Sequence, residues 1–238
     1  MVLWFIAAAA SYFIKGMCGF ANTLVFTSIL SFGAANADIS PIDLLLGFPA
    51  NLILTWKNRK KLDAKIWLPL AMLVLAGSIP GALLLKNVDA RFIKLLFGIV
   101  VILLGLEMLL RGYGKTKLHS TKVMLACIGI SAGIMCGLFG VGAMLAAYID
   151  RVSNDSNTFK ANISAVFIVD NLFRIFLYSA LHLLTLNTLK SFLMLIPFAM
   201  LGLAAGMKCS SLIDEKQVRK ITSILLIFSG ISLILKNL

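Results

Sequence analysis

The chain has 238 residues, of which 60% are hydrophobic and only 13% charged, with a formal net charge of +12. No water-facing surface of ordinary composition covers so apolar a chain, so the bilayer is expected to be its main solvent and a soluble protein is excluded. The charge does not point to nucleic acid, because the 22 Lys and Arg fall mainly between apolar blocks, where they set topology through the positive-inside bias.

Eight apolar blocks follow in chain order. The first, 2–32, has no basic region before it and no convincing small-residue cleavage site, so Val2 onward is expected to be a mature span rather than a signal peptide. As one helix its roughly 30 residues would extend about 45 Å, well beyond a hydrocarbon core of about 30 Å, so it must break. Gly16 and Gly19 are the expected interruptions, with Lys15 beside them and Asn22 and Thr23 just after. The second block, 42–56, carries Asn51 and ends in a basic loop of Lys57, Arg59, Lys60, Lys61 and Lys65, expected on the cytoplasmic side. Blocks 66–85 and 92–110 follow, with Glu107 and Arg111 reading as an interfacial pair. A basic linker at 113–122 is expected to be cytoplasmic. The fifth block, 123–149, is again too long for one crossing and holds Gly133, Gly137, Gly140 and Gly142. Block 161–184 contains Asp170, Asn171 and Arg174 in an otherwise apolar run, and blocks 189–207 and 218–235 complete the chain.

The two sets of four blocks are related. Met17-Cys18-Gly19 recurs as Met135-Cys136-Gly137, and Asn51-Leu52 as Asn171-Leu172. Gly81, Val88-Asp89, Lys94 and Gly105 match Gly206, Ile213-Asp214, Arg219 and Gly230 at a constant shift of 125. Repeat 1 is therefore expected over 1–112 and repeat 2 over 123–238. No alternating barrel strands are visible, so the fold class is an all-α integral membrane protein. The loop matching 57–65 offers only His182 and Lys190, which places the two loops on opposite sides and predicts inverted repeats whose opening segments are broken or re-entrant.

A cation such as Lys15 inside a membrane is costly enough to imply a partner, and a bound anion would serve. Backbone N–H groups at the breaks around Gly19 and Gly140, with Asn22 and Thr23, would add neutral donors for an oxyanion. The structural alternatives are that Lys15 snorkels to a headgroup and that the glycines only allow close helix packing. Asp170 and Arg174 stand one helical turn apart: either a structural pair, or a fork onto substrate held by an Asp that also relays protons. Asn51 and Asn171 either approach one central cavity or bond neighbouring helices. Cys18, Cys127, Cys136 and Cys209 read as packed thiols, and no His, Cys, Asp and Glu set has metal-ligand spacing, so neither metal nor cofactor is expected. Gly129-Ile130-Ser131-Ala132-Gly133 has the letters of a hydrolase elbow, but only His119 and His182 exist and a strand is missing, so the chain is not read as an enzyme. A membrane scaffold without transport is the other competing class.

Lys15-Gly16-Met17-Cys18-Gly19-Phe20, the segment Gly133 to Gly142, the basic turn from Trp56 to Asp63 and Gly77-Ser78-Ile79-Pro80-Gly81 occur in an order that resembles the sulfite exporter TauE/SafE family of membrane permeases. The resemblance covers nearly the whole chain. It implies transport of sulfite, sulfoacetate or a related organosulfonate across a bacterial cytoplasmic membrane by a multi-pass protein, alone or as a homodimer. The expected site lies at mid-membrane between the repeats, with Lys15, Gly19, Asn22, Thr23, Asn51, Gly137, Gly140, Asn171 and Arg174 on the substrate, Asp170 as proton relay, and alternating access as the mechanism.

Overall fold

A computed structural model describes residues 2–30, 33–87, 89–110, 122–139, 142–153 and 155–210, and beyond these only scattered positions between 217 and 235. Except for its last residue, the linker expected at 113–122 lies outside the described residues. Among those residues there are helices and turns but no strand: α1 (Val2–Cys18), α2 (Asn22–Leu30), α3 (Asn36–Lys57), α4 (Ala64–Asn87), α5 (Ala90–Leu110), α6 (Lys122–Phe139), α7 (Ala143–Val152), α8 (Ser156–Ala180) and α9 (Leu186–Cys209). Segments Asp38–Lys57, Ala64–Leu84, Ser156–Ala180 and Leu186–Cys209 are each long and apolar enough to cross a bilayer.

The first block does break, but three residues later than Gly16. Gly19 at φ +85° and Ala21 at φ +72° end α1. The left-handed conformation is free for glycine and costs an alanine about 1 kcal/mol, so Ala21 is held there by its surroundings. The chain then reverses. Asn22 comes back against Tyr12 and Lys15, and the Phe26 ring lies edge-on to Trp4 at 6.0 Å. The first block is thus a helical hairpin in which α2 folds back on α1, itself only about 26 Å long at 1.5 Å per residue. In the fifth block α6 runs to Phe139, and α7 starts at Ala143 with Gly142 as its non-helical N-cap.

Gly16, Gly133 and Gly137, expected as breaks, lie inside helices instead. Their role is contact. A side chain on Gly16 would strike the backbone of Leu203 and Met207 on α9, and one on Gly133 or Gly137 would strike the backbone of α4. The partners reply in kind: Gly202 and Gly206 of α9 rest on the carbonyls of Ala9 and Phe13, while Gly77 and Gly81 of α4 rest on those of Ile130 and Ile134. Without a hydrophobic drive between helices in lipid, such backbone-to-backbone approach is the main source of their association.

This packing is crossed, because α1 pairs with α9 and α6 with α4. The glycine contacts of the two pairs are spaced alike. Gly77 and Gly81 correspond to Gly202 and Gly206 at the expected shift of 125, but their supports, Ala9 and Phe13 against Ile130 and Ile134, differ by 121. The Met-Cys-Gly letters differ by 118. In these contacts Gly16, against Leu203 and Met207, has the place that Gly137 has against Ser78 and Ala82. Helices α3 and α8 lie against each other between the crossed pairs. The outer surface is apolar: Leu68, Met72, Ile79 and Leu83 are exposed along one face of α4, opposite its glycines.

Candidate functional site

Polar side chains gather where the α1–α2 hairpin meets α3 and α8. On the hairpin side, Tyr12 donates its hydroxyl to Asp43 Oδ1 at 3.0 Å, the Asn22 amide donates to both Asp43 oxygens at 3.1 and 3.3 Å, and the Thr23 hydroxyl donates to Asp43 Oδ2. Lys15 Nζ donates to Asn22 Oδ1 at 2.9 Å and stands 5.7 Å from the centre of the Phe167 ring. Lys15 is 1% exposed and Asp43 4%.

On the α8 side, Arg174 Nη2 donates to Tyr178 Oη at 2.7 Å and to Ser40 Oγ at 3.1 Å. The Tyr178 hydroxyl in turn donates to the Gly137 carbonyl at 2.8 Å, which ties α8 to α6. Behind the guanidinium, Asp170 Oδ2 lies 3.8 Å from Nη1, and Asp170 Oδ1 accepts from the Ser78 hydroxyl of α4 at 2.5 Å. Arg174 Nε and Asn51 Oδ1 are buried with no hydrogen-bond partner. A buried donor on a charged group is rarely left unpaired, since its desolvation is uncompensated.

Between the two networks is one cavity, lined by Lys15, Asn22, Thr23, Asp43, Asn51 and Arg174 among others. It opens over Gly47, where a Cβ would come within 3.4 Å of Asn171 Nδ2 and 3.6 Å of the Tyr12 hydroxyl. Two cations thus face one polar space from different halves of the chain, with hydroxyl and amide donors around them. Lys15 and Arg174 offer charge to an oxyanion and Asn22 and Thr23 directed neutral donors, which in this arrangement point at the Asp43 carboxylate.

A family model described as Sulfite exporter TauE/SafE matches residues 3–233, nearly the whole chain. The chain belongs to that family. No curated protein and no solved structure matches it. Membership of the TauE/SafE family makes the protein a membrane transporter and not an enzyme, which agrees with Ser131 lying exposed within helix α6 rather than on a strand-to-helix turn.

In this TauE/SafE protein the structure brings Lys15, Asn22, Thr23, Asn51, Asn171 and Arg174, six of the residues singled out in the sequence, onto one cavity. Gly19 and Gly137 do not line it. The Gly19 N–H is spent on the Lys15 carbonyl at 2.7 Å, so Gly19 supplies the turn, while Gly137 supplies close contact and a carbonyl. Gly140 lies outside the described residues. Cys18 and Cys136 are buried as expected, but Cys127 is exposed.

The sequence reading missed Tyr12, Ser40, Asp43, Gly47, Phe167 and Tyr178. For Asp43 a signal was present. An acid eight residues before Asn51 on the same helix stands two turns from it, on nearly the same face.

Proposed function

We propose that this TauE/SafE protein carries a small sulfur oxyanion, sulfite or an organosulfonate such as sulfoacetate, across a bacterial cytoplasmic membrane. The observation that carries the reading is the pair of buried cations, Lys15 and Arg174, facing one cavity with the Arg174 Nε donor unpaired. An oxygen of the anion takes the place of the missing Arg174 partner by accepting from Nε, and Lys15 turns from Asn22 to the ligand. Asp170 holds Arg174 from behind, and the relay role expected of it from sequence is secondary in this arrangement.

The proposal includes two inverted repeats, 1–112 and 123–238, that rock about the site. It is supported by the crossed glycine contacts, in which each half grips the opening helix of the other, and by the meeting of α3 with α8 at the centre. Proteoliposomes loaded with labelled sulfite or sulfoacetate give the test. Efflux is expected to exceed that of empty liposomes and to be lost in Lys15→Gln. If neither anion moves faster than through bare lipid, the proposed substrate assignment fails.

A further inference from the structure

We propose that Asp43 gates this cavity by protonation, so that each anion binds together with one proton; the inference rests on the anion-transport reading above. In the described geometry the Asp43 carboxylate already occupies the donors that an oxyanion would need. Tyr12, Asn22 and Thr23 all point at it, and Lys15 is coupled to it through Asn22. An ionised Asp43 is in effect an internal anion on the site, and ligand and carboxylate compete for the same hydrogens.

Counting the charges sharpens the point. The groups facing Asp43 are Tyr12 and Lys15 from α1, the neutral Asn22 and Thr23 from α2, and Arg174 from α8 across the cavity, with Tyr178 and Asp170 behind it. On its far side α3 meets α9, where Leu195, Ala199 and Leu203 pack with Leu46 and Ala50 and bring no charge. Two cations and two carboxylates therefore balance when all are ionised. Adding a dianion to a balanced buried cluster leaves two net negative charges out of water, which is costly, and one proton halves that excess. A proton on Asp43 removes the competitor and converts an acceptor into an O–H donor for the incoming oxygen. Asp170 does not line the cavity, so its carboxylate does not compete with the ligand for these donors. The proton comes from water with the anion and leaves with it when the cavity opens to the other side.

The experiment uses the full chain in liposomes, with sulfoacetate as the probe, because it stays a dianion from weakly acidic to alkaline pH whereas sulfite itself titrates near neutrality. Binding and the movement of protons into a dye-loaded lumen are followed together. The unaltered chain is expected to bind about tenfold more tightly per unit of acidification, the slope for one proton per anion, and to move one proton with each anion. Asp43→Asn should still bind the probe but lose both the slope and the proton signal. Retention of both in Asp43→Asn assigns the proton to another group, Lys15 first, and overturns the inference. If Asp43→Asn does not fold, Asp43→Glu and Asp170→Asn decide, since both leave a carboxylate at 43 and should keep the slope; its loss in Asp170→Asn overturns the inference. Anion flux in the unaltered chain without pH dependence also overturns it while leaving the transport reading intact. No flux at any pH removes both.

Discussion

Lys15 and Arg174 are both buried cations, yet their substitutions should differ in kind. Lys15 makes its one hydrogen bond to a neutral amide, so Lys15→Gln should fold and weaken sulfite binding ten- to hundredfold, equivalent to the roughly 1.5–3 kcal/mol of a charged hydrogen bond. Titration of the reconstituted protein by thermal shift checks this. Arg174 neutralises Asp170, so Arg174→Leu strands a buried carboxylate and should cost about 3–5 kcal/mol in denaturant unfolding. The double variant Arg174→Leu with Asp170→Leu should regain most of that stability and none of the transport, which separates holding the helices from holding the ligand. Gly47→Ala tests the cavity from its floor. The added methyl would come within 3.4 Å of Asn171 Nδ2 and into the polar space, so binding should fall while the unfolding midpoint stays put or rises. What could be read of the site beforehand follows from the cost of each residue in lipid. Lys15, Asp170 and Arg174 stand out because a charge in an apolar run demands an explanation. Tyr12 and Tyr178 carry an apolar ring and a polar tip, so in the sequence they pass for core. Only their hydroxyl partners reveal them.

At the scale of elements, the same letter has two functions. Gly19 turns the chain, whereas Gly16, Gly77, Gly81, Gly133, Gly137, Gly202 and Gly206 let backbones touch, and no sequence rule separates the two uses before the partner helix is known. The broken opening blocks were legible, because length alone forbids a single crossing; the position of the break was not. Gly81→Val and Gly206→Val should each destabilise by about 1–3 kcal/mol, the usual penalty of overpacking, with effects matching in size if the crossed contacts are equivalent. Unfolding in mixed micelles by a denaturing detergent measures both. The cap of α8 offers a pH test outside the membrane. Asp155 is exposed and accepts from the Thr158 N–H at 2.9 Å, and that bond first, with the Lys61 ammonium nearby, holds its carboxyl below the usual carboxylate range. A group with a lowered folded value stabilises above its unfolded value and loses that contribution as pH falls through the folded one. Acidification should therefore loosen the start of α8, seen as faster amide exchange at Thr158, and Asp155→Asn, also a good cap, should abolish the dependence.

For the whole molecule, the sign of the transported charge sets the direction of easy flow. A dianion accompanied by one proton carries one net negative charge, and an inside-negative potential favours its exit by about 2.3 kcal/mol per 100 mV. Efflux from liposomes should accelerate when a potassium diffusion potential makes the lumen negative, and slow when the potential is reversed. Equal rates under both would mean that charge is fully compensated by more than one proton. The crossed arrangement was not legible in the sequence at all, because hydropathy finds helices and says nothing of which pair together.

That arrangement also governs how the protein is made. Helix α1 must wait for α9, which begins about 170 residues later, or on the order of ten to thirty seconds at ordinary rates of synthesis. Through that interval the hairpin bearing Lys15 sits in the insertion machinery or the lipid without its glycine-faced support. The first half is thus a client during biogenesis, exposed to chaperones and proteases until the ribosome has nearly finished, and a truncated product ending before α9 should be degraded rather than accumulate.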